Sequence, residues 1–238
     1  MTDTQTAWCP GCGNFPILKT LDQAIEAAEI DRQNLVLVSG IGQAAKLPHY
    51  TRANVFNGLH GRALPVATGI KLANHKLNVV ITSGDGDMYG EGGNHLLHAI
   101  RRNIGVKVFV HNNQVYGLTK GQASPTSDPG FVTKVQTHGV ISQPMNPLAL
   151  AIVGDASFVA RTFSGNPEHM LGMMVEALRH QGGFTLLDIL QPCVSFNKTN
   201  TFKWYRDRVR PVADSHDPWD RDKALSLALK WGDEIPTG

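Results

Sequence analysis

Residues 78–122 hold the most constraining pattern in this chain: two apolar runs, each ending in a polar turn, with a helical pattern between them. The run 78–82 reads as a strand and leads directly into Ser83-Gly84-Asp85-Gly86-Asp87. A second run, 106–110, ends in His111-Asn112-Asn113. Between them, residues 91–103 place Leu96, Leu97 and Ile100 at helical spacing. The unit is strand, glycine turn, helix, strand, turn. In a right-handed crossover both turns fall at the carboxyl edge of a parallel sheet, the usual place for ligands. The expectation is an α/β fold with an open, mostly parallel sheet and helices on both faces.

The chemistry of the two turns narrows what binds there. Asp85 offers a hard anionic oxygen, Asn113 a neutral one, and the Val115 carbonyl lies just beyond. Together they suit one side of an octahedral Mg²⁺ shell, with phosphate oxygens and water on the other. Gly84 and Gly86 let the main chain approach a diphosphate, whose charge the following helix N-terminus favours. A GDG alone is more often an ordinary turn with a capping Asp. The pairing with NN in this strand-turn context reverses that preference.

GDG followed at this interval by NN resembles the thiamine-diphosphate motif. The longer strings GDGDMYGEGGNHLLHAIRRN and NNQVYGLTKGQASPTS resemble one family of that superfamily, the β subunits of the 2-oxoacid:ferredoxin oxidoreductases. The resemblance covers nearly the whole chain and implies the thiamine-diphosphate-binding fold. It implies that Gly86, Asp87 and the loop after Tyr116, with Gly117, Leu118 and Thr119, hold the diphosphate. It places Ile41, Gly42, Gln43 and Ala44 in the thiamine pocket wall, and His60 of the HGR segment against the diphosphate. Lys46, Leu118 and Lys120 are expected near substrate, Lys46 as the residue that meets the 2-oxoacid carboxylate.

Composition sets the outer bounds. The 238 residues, 42% apolar and 18% charged, describe an ordinary globular protein, expected here as one domain with an N-terminal CxxC segment and a C-terminal arm. A net charge of +2 gives no case for nucleic acid or an anionic membrane as partner. No apolar run reaches spanning length, and MTDTQTAWCPGCG lacks the regions of a signal peptide, so a cytoplasmic protein is expected. Family chains generally continue past a comparable WGD segment, so an end at Gly238 fits an early stop or a shortened chain.

The three cysteines rule out a disulfide framework. Cys9-Pro10-Gly11-Cys12 by itself fits a dithiol redox pair, half a zinc site, half an iron–sulfur site, or no role. Cys193 follows a strand-like run and could return beside it. The family resemblance implies that Cys9, Cys12 and Cys193 help hold a [4Fe–4S] cluster near thiamine. Members of the family carry a further cysteine in a GIGC segment, where this chain has Gly40-Ile41-Gly42-Gln43. The fourth ligand is therefore unidentified: a non-cysteine group, another chain, or an open iron.

Elsewhere, residues 15–28 read as a helix capped by Asn14, and 35–39 as a buried strand. The following Gly40-Ile41-Gly42-Gln43-Ala44-Ala45 fits a dinucleotide fingerprint, but no Asp or Glu occurs between Arg32 and Gly84 to bind a ribose, and Pro48 interrupts a continuing helix. His95 and His98, three apart, lack a third ligand, and Arg101-Arg102 suit a helix C-terminus. The segment SPTSDPG reads as a mobile loop facing substrate or a partner. Helices are expected over 147–153, 167–180 and 220–231, strands over 157–161 and 184–190, with Met170, Met173 and Met174 as core filler.

The reaction the resemblance implies is oxidative decarboxylation of a 2-oxoacid to an acyl-CoA, with electrons leaving through the cluster to ferredoxin. A glutamate that activates thiamine is expected from a partner α subunit. The LTKGQASPTS loop resembles members using 2-oxoglutarate or a broad range of 2-oxoacids. Two rivals remain: a non-oxidative thiamine-diphosphate enzyme, and an iron–sulfur electron-transfer subunit that has lost thiamine.

Overall fold

The computed structural model describes Thr2 and residues 4–238; Met1 and Asp3, part of the stretch read for a leader, lie outside the described residues. Helix α1 (Asn14–Ala27) leads to β1 (Leu35–Ser39), the edge strand β2 (Asn54–Asn57) and α2 (Ala63–Ala73). There follow β3 (Asn78–Gly84), α3 (Gly93–Arg101), β4 (Lys107–Asn112) and a small hairpin of β5 (Val115–Tyr116) and β6 (Gln122–Ala123). Next come α4 (Pro147–Val153), β7 (Phe158–Phe163), α5 (Pro167–Arg179) and β8 (Thr185–Leu190). The arm comprises α6 (Phe202–Arg208), β9 (Val209–Pro211), α7 (Arg221–Ala228) and β10 (Ile235–Thr237). No helix among the described residues is long and apolar enough to cross a membrane.

The main sheet has the order β2-β1-β3-β4-β8-β7, and every neighbouring pair is parallel. Its central strands are apolar almost throughout because both faces are covered. Side chains alternate between two cores. Leu35, Leu37, Phe109, Leu187 and Ile189 pack with Ile17, Leu21, Met170 and Met174 of α1 and α5. Val38, Val108, Val110 and Leu186 pack with α2, α3 and α4 through Leu64, Ala67, Leu96, Ile100 and Ala151. Each fully buried Leu or Ile contributes about 2 kcal/mol to this arrangement.

From β1 the chain steps outward to β2; from β3 it steps the other way, to β4. The loops leaving β1 and β3 therefore diverge, which opens a crevice at their carboxyl ends. Local signals set the helix starts. Asn146-Pro147 and Asn166-Pro167 each cap a helix, with the Asn side chain accepting from Ala149 N or His169 N and proline at the first helical position.

Two local expectations are corrected. Asn14 does not cap α1; it is the helix's first residue, and its Oδ1 lies 2.7 Å from Nδ1 of His111. His111 is wholly buried at the end of β4 and takes Asn14 as its polar partner. The helix expected from Glu91 begins instead at Gly93, after a π-helical turn over Gly86–Glu91. That widened turn buries Met88 and Tyr89, whose hydroxyl donates to Asp188 Oδ1 at 2.7 Å.

Burial pushes the His111 imidazole down to about 3, from 6.5. The folded state thus holds His111 neutral while the unfolded chain takes up a proton below pH 6.5, so this group's stability is intact above that pH and lost as pH falls toward 3. Between pH 7 and pH 5 the loss is about 2 kcal/mol. Urea unfolding at the two pH values should show a smaller difference for His111→Gln than for the unaltered chain.

Candidate active site

Asp87 fixes the shape of the crevice. It is 3% exposed, and its carboxylate gathers three segments. Oδ1 accepts from the Gly61 amide at 2.8 Å and the Ile41 amide at 3.1 Å, and Oδ2 from the Ser83 hydroxyl at 2.6 Å. The approach is so close that a Cβ on Gly40 would stand 2.1 Å from Asp87 Oδ2, which is why glycine leaves β1 here. His60 stands beside this carboxylate, with Nε2 3.5 Å from Asp87 Oδ1 and 3.4 Å from Glu91 Oε2. Asp87 therefore commits its side chain to the loops, at the start of the π-helical turn.

Asp85 sits two residues earlier and is 1% exposed. Its Oδ2 accepts from Ser124 Oγ at 2.5 Å and Thr126 Oγ1 at 2.6 Å. Its carboxyl is pushed up to about 6, by burial first and by the charge of Asp188, against the hydrogen bonds from Ser124, Thr126 and the Asn113 backbone. Asn113 Oδ1 accepts from the Val115 amide at 3.1 Å, an Asx turn that brings the Val115 carbonyl to the same end of β4. Asp85, Asn113 and Val115 are thus gathered at the β3 and β4 ends. This donor set, one carboxylate, one amide and one carbonyl, suits a hard dication.

The expectation of a mobile SPTSDPG loop is corrected for its SPTS part. Ser124, Thr126 and Ser127 are 8%, 4% and 1% exposed. Ser127 Oγ donates to the Gln114 carbonyl and accepts from the Ser124 amide, at 2.6 and 2.8 Å. The reason is the buried carboxylate: Asp85 attracts the hydroxyls inward. The chain is open on either side of SPTS, with Leu118, Thr119 and Lys120 exposed before it, Pro129 and Gly130 after it, and Thr119 Oγ1 donating to Gln122 Oε1. Gly117 approaches Gln43 of the β1 loop, a Cβ at Gly117 falling 3.9 Å from Gln43 Cγ. Lys46 is half-buried on the short 3₁₀ helix Ala44–Tyr50, which accommodates Pro48.

The cysteines come together on the other side of Asn113. All three are free, and burial pushes the Cys12 thiol up to about 11, with Cys193 and Cys9 adding to the shift. Ser195 Oγ donates to Cys9 Sγ at 3.1 Å and Gln191 Nε2 to Cys12 Sγ at 3.6 Å. Trp8 Nε1 donates to the Gln43 carbonyl at 2.8 Å, which joins the CxxC segment to the β1 loop. The Gln43 amide oxygen is buried without a partner. Among the described residues no three His, Cys, Asp or Glu converge on a single metal ion. A [4Fe–4S] cluster asks for something different, one sulfur per iron at separated corners.

The sequence and fold were compared with known proteins. The family model described as thiamine pyrophosphate enzyme, C-terminal TPP binding domain, matches residues 37–189, and the model for the C-terminal part of the pyruvate ferredoxin oxidoreductase β chain matches 193–238. A 2-oxoacid:ferredoxin oxidoreductase β subunit from Sulfolobus is 43% identical, over 97% of this chain and 80% of the relative. This chain belongs to that family of β subunits.

A further relative, 2-oxoacid:ferredoxin oxidoreductase 1 subunit β of Aeropyrum pernix, is 42% identical over 100% of this chain and 78% of its own length. The solved 2-oxoglutarate:ferredoxin oxidoreductase from Magnetococcus marinus, with 2-oxoglutarate, coenzyme A and succinyl-CoA bound, superposes with a TM-score of 0.97 at 38% identity, covering 100% of this chain and 81% of that one. The parallel sheet is the thiamine-diphosphate enzyme fold, and the relatives are subunits of an oxidoreductase complex. The non-oxidative and thiamine-free rivals are not favoured by these relatives.

Sequence reasoning passes over several residues here. Ser124 and Thr126 have the look of a loop, and Asn112 that of a spare partner of Asn113. Glu91 and Tyr116 meet at the mouth, with Tyr116 Oη 3.1 Å from Glu91 Oε2. A Cβ on Gly86 would fall 2.2 Å from the Tyr116 ring, a packing constraint visible only in three dimensions. Removing the clamp should be severe: Asp87→Ala leaves the Ser83, Ile41 and Gly61 donors unmatched and is expected to destabilise the chain by on the order of 3 kcal/mol or more. Denaturant unfolding measures the loss, and Asp87→Asn should recover only part of it.

Proposed function

We propose that this chain is the thiamine-diphosphate- and Mg²⁺-binding half of an enzyme that oxidatively decarboxylates a 2-oxoacid to its acyl-CoA and passes electrons through an iron–sulfur cluster to ferredoxin. The carrying observation is the convergence of Asp85, Asn113 and Val115 at the β3 and β4 ends, beside free Cys9, Cys12 and Cys193. Asp85, the Asn113 amide oxygen and the Val115 carbonyl would hold Mg²⁺. The amides of Gly86 and Asp87, with His60 and the Gly117–Thr119 turn, would receive the diphosphate, and Ile41, Gly42, Gln43 and Ala44 would wall the ring. Lys46, Leu118 and Lys120 would meet substrate, Lys46 by pairing with its carboxylate.

Bound thiamine diphosphate would supply the carbon nucleophile and the electron sink for decarboxylation. Cys9, Cys12 and Cys193 would each ligate one iron of a [4Fe–4S] cluster, the fourth ligand remaining to be assigned. Their surroundings fit: donors from Ser195 and Gln191 stabilise thiolate sulfur. A partner α subunit would contribute the activating glutamate, since Glu91 is already engaged by Tyr116 and lies beside His60. Phe56 and Leu59, 48% and 75% exposed beside His60, provide an apolar surface for that partner. The names of the Aeropyrum and Magnetococcus relatives support a 2-oxoacid as the substrate class, with 2-oxoglutarate one member.

Iron and acid-labile sulfide on the anaerobically purified complex, with electron paramagnetic resonance after reduction, test the electron exit. About four irons per β chain are expected, falling on Cys193→Ala. A complex free of iron would overturn that exit. Ferredoxin reduction by a 2-oxoacid should require coenzyme A and the partner subunit; turnover by the isolated chain would reject the partner glutamate.

A further inference from the structure

The SPTS segment, whose composition suggests a mobile loop, sets two hydroxyls on one oxygen of a buried carboxylate. We infer that Thr126 and Ser124 are positioning residues of the metal site, holding Asp85 in the orientation that presents it to Mg²⁺, with Asn112 and Asp188 setting the direction of Thr126 from behind. This inference rests on the cofactor reading above and names residues that reading does not use.

An Asp carboxylate turns freely about its last torsion, whose profile is broad and two-fold. At Asp85 that freedom is removed. Ser124 Oγ and Thr126 Oγ1 both point at Oδ2, at 2.5 and 2.6 Å, the short range of hydroxyl bonds to an ionised acceptor. A carboxylate has about four lone-pair sites. With Oδ2 held from one side, the remaining sites stay directed toward the β4 turn, where Asn113 and Val115 stand. Partners that orient a ligand in this way commonly matter to metal affinity as much as some ligands do.

The hydroxyls are themselves held. The β5–β6 pairing, Val115 with Ala123 and Tyr116 with Gln122, delivers residues 124–127 over Asp85. Ser127 then fastens the turn to Gln114 and Ser124. Behind Thr126 lies Asn112, whose Oδ1 is 2.9 Å from Thr126 Oγ1 and whose Nδ2 is 3.2 Å from both oxygens of Asp188. Only an NH₂ can face a carboxylate on both oxygens, so Asp188 fixes which way the Asn112 amide points. Asp188 is 1% exposed and is anchored by the Tyr89 hydroxyl at 2.7 Å and by Arg161 at 3.9 Å. Thr126 has one proton for two acceptors, Asp85 Oδ2 and Asn112 Oδ1; when it serves Asn112, the Ser124 hydroxyl remains the donor on Asp85 Oδ2. Losing either hydroxyl therefore leaves a buried acceptor short and frees Asp85 to rotate.

The competing explanation is that these bonds only tie residues 124–127 to β3. The two are separated by metal dependence. In the assembled complex, thiamine diphosphate binding is followed by calorimetry across a Mg²⁺ series for the unaltered chain, Thr126→Val, Thr126→Ser and Ser124→Ala. Thr126→Val keeps the branched shape without the hydroxyl and should raise the Mg²⁺ needed for half-saturation about tenfold, with cofactor affinity recovering at high Mg²⁺. Thr126→Ser keeps the donor and should stay within about twofold. Unchanged Mg²⁺ dependence in both Thr126→Val and Ser124→Ala overturns the inference. So does a loss that high Mg²⁺ does not restore and that Thr126→Ser shares. Should Thr126→Val fail to assemble, Ser124→Ala is judged by the same two criteria. An unaltered complex that binds thiamine diphosphate without regard to Mg²⁺ would instead reject the metal reading itself.

Discussion

One buried carboxylate, that of Asp87, decides where the loops of this protein lie. Taking an ionised carboxylate out of water is unfavourable unless several donors meet it. The amides of Ile41 and Gly61 and the hydroxyl of Ser83 do so, and each belongs to a different segment of the crevice. The loop after β1, the turn before α2 and the end of β3 are thereby fixed against one another. Gly40 is a consequence, because no side chain fits between its backbone and the carboxylate. The pocket wall, the His60 turn and the glycine turn are thus positioned together.

A second link runs from this edge of the sheet to the cysteines. Gln191, just past β8, accepts from Asn113 Nδ2 at 3.2 Å and donates to Cys12 Sγ at 3.6 Å. The Asn14–His111 contact does the same from the start of α1. The CxxC segment is therefore held against the ends of β4 and β8, the strands whose turns carry the proposed metal ligands. Connections this short hold the cysteine segment and the turn of β4 in a fixed relation to each other.

Much of this was legible in the sequence where local pattern and chemistry agree. The apolar runs ending in GDGD and HNN gave β3 and β4 and placed Asp85 and Asn113 at one edge, because crossover handedness leaves little choice. What was hidden depended on long-range burial. Ser, Thr and Pro in SPTS carry the composition of an exposed loop, and nothing local announces that Asp85 lies 39 residues back to draw them in. The clamp made by the Asp87 side chain was equally hidden, since its donors at Ile41 and Gly61 lie 46 and 26 residues away. The π-helical turn at Gly86–Glu91 was missed because its cause, Tyr89 reaching Asp188, spans 99 residues.

The electrostatics of the interior show how the fold divides its charge. Asp85 and Asp188 are both buried, both are pushed upward chiefly by loss of solvent, and Asp188 raises Asp85 further. Arg161 lies 3.9 Å from Asp188 and lowers its carboxyl in return, while Asp85 receives only hydroxyl and backbone donors. Arg161 is committed to the structural carboxylate; the other is oriented without being neutralised. A carboxylate so oriented gains most from a dication, since attraction is strong where solvent is excluded and no rearrangement is needed on binding. Burial that is unfavourable for the free carboxylate would thereby favour binding of the dication proposed for this site.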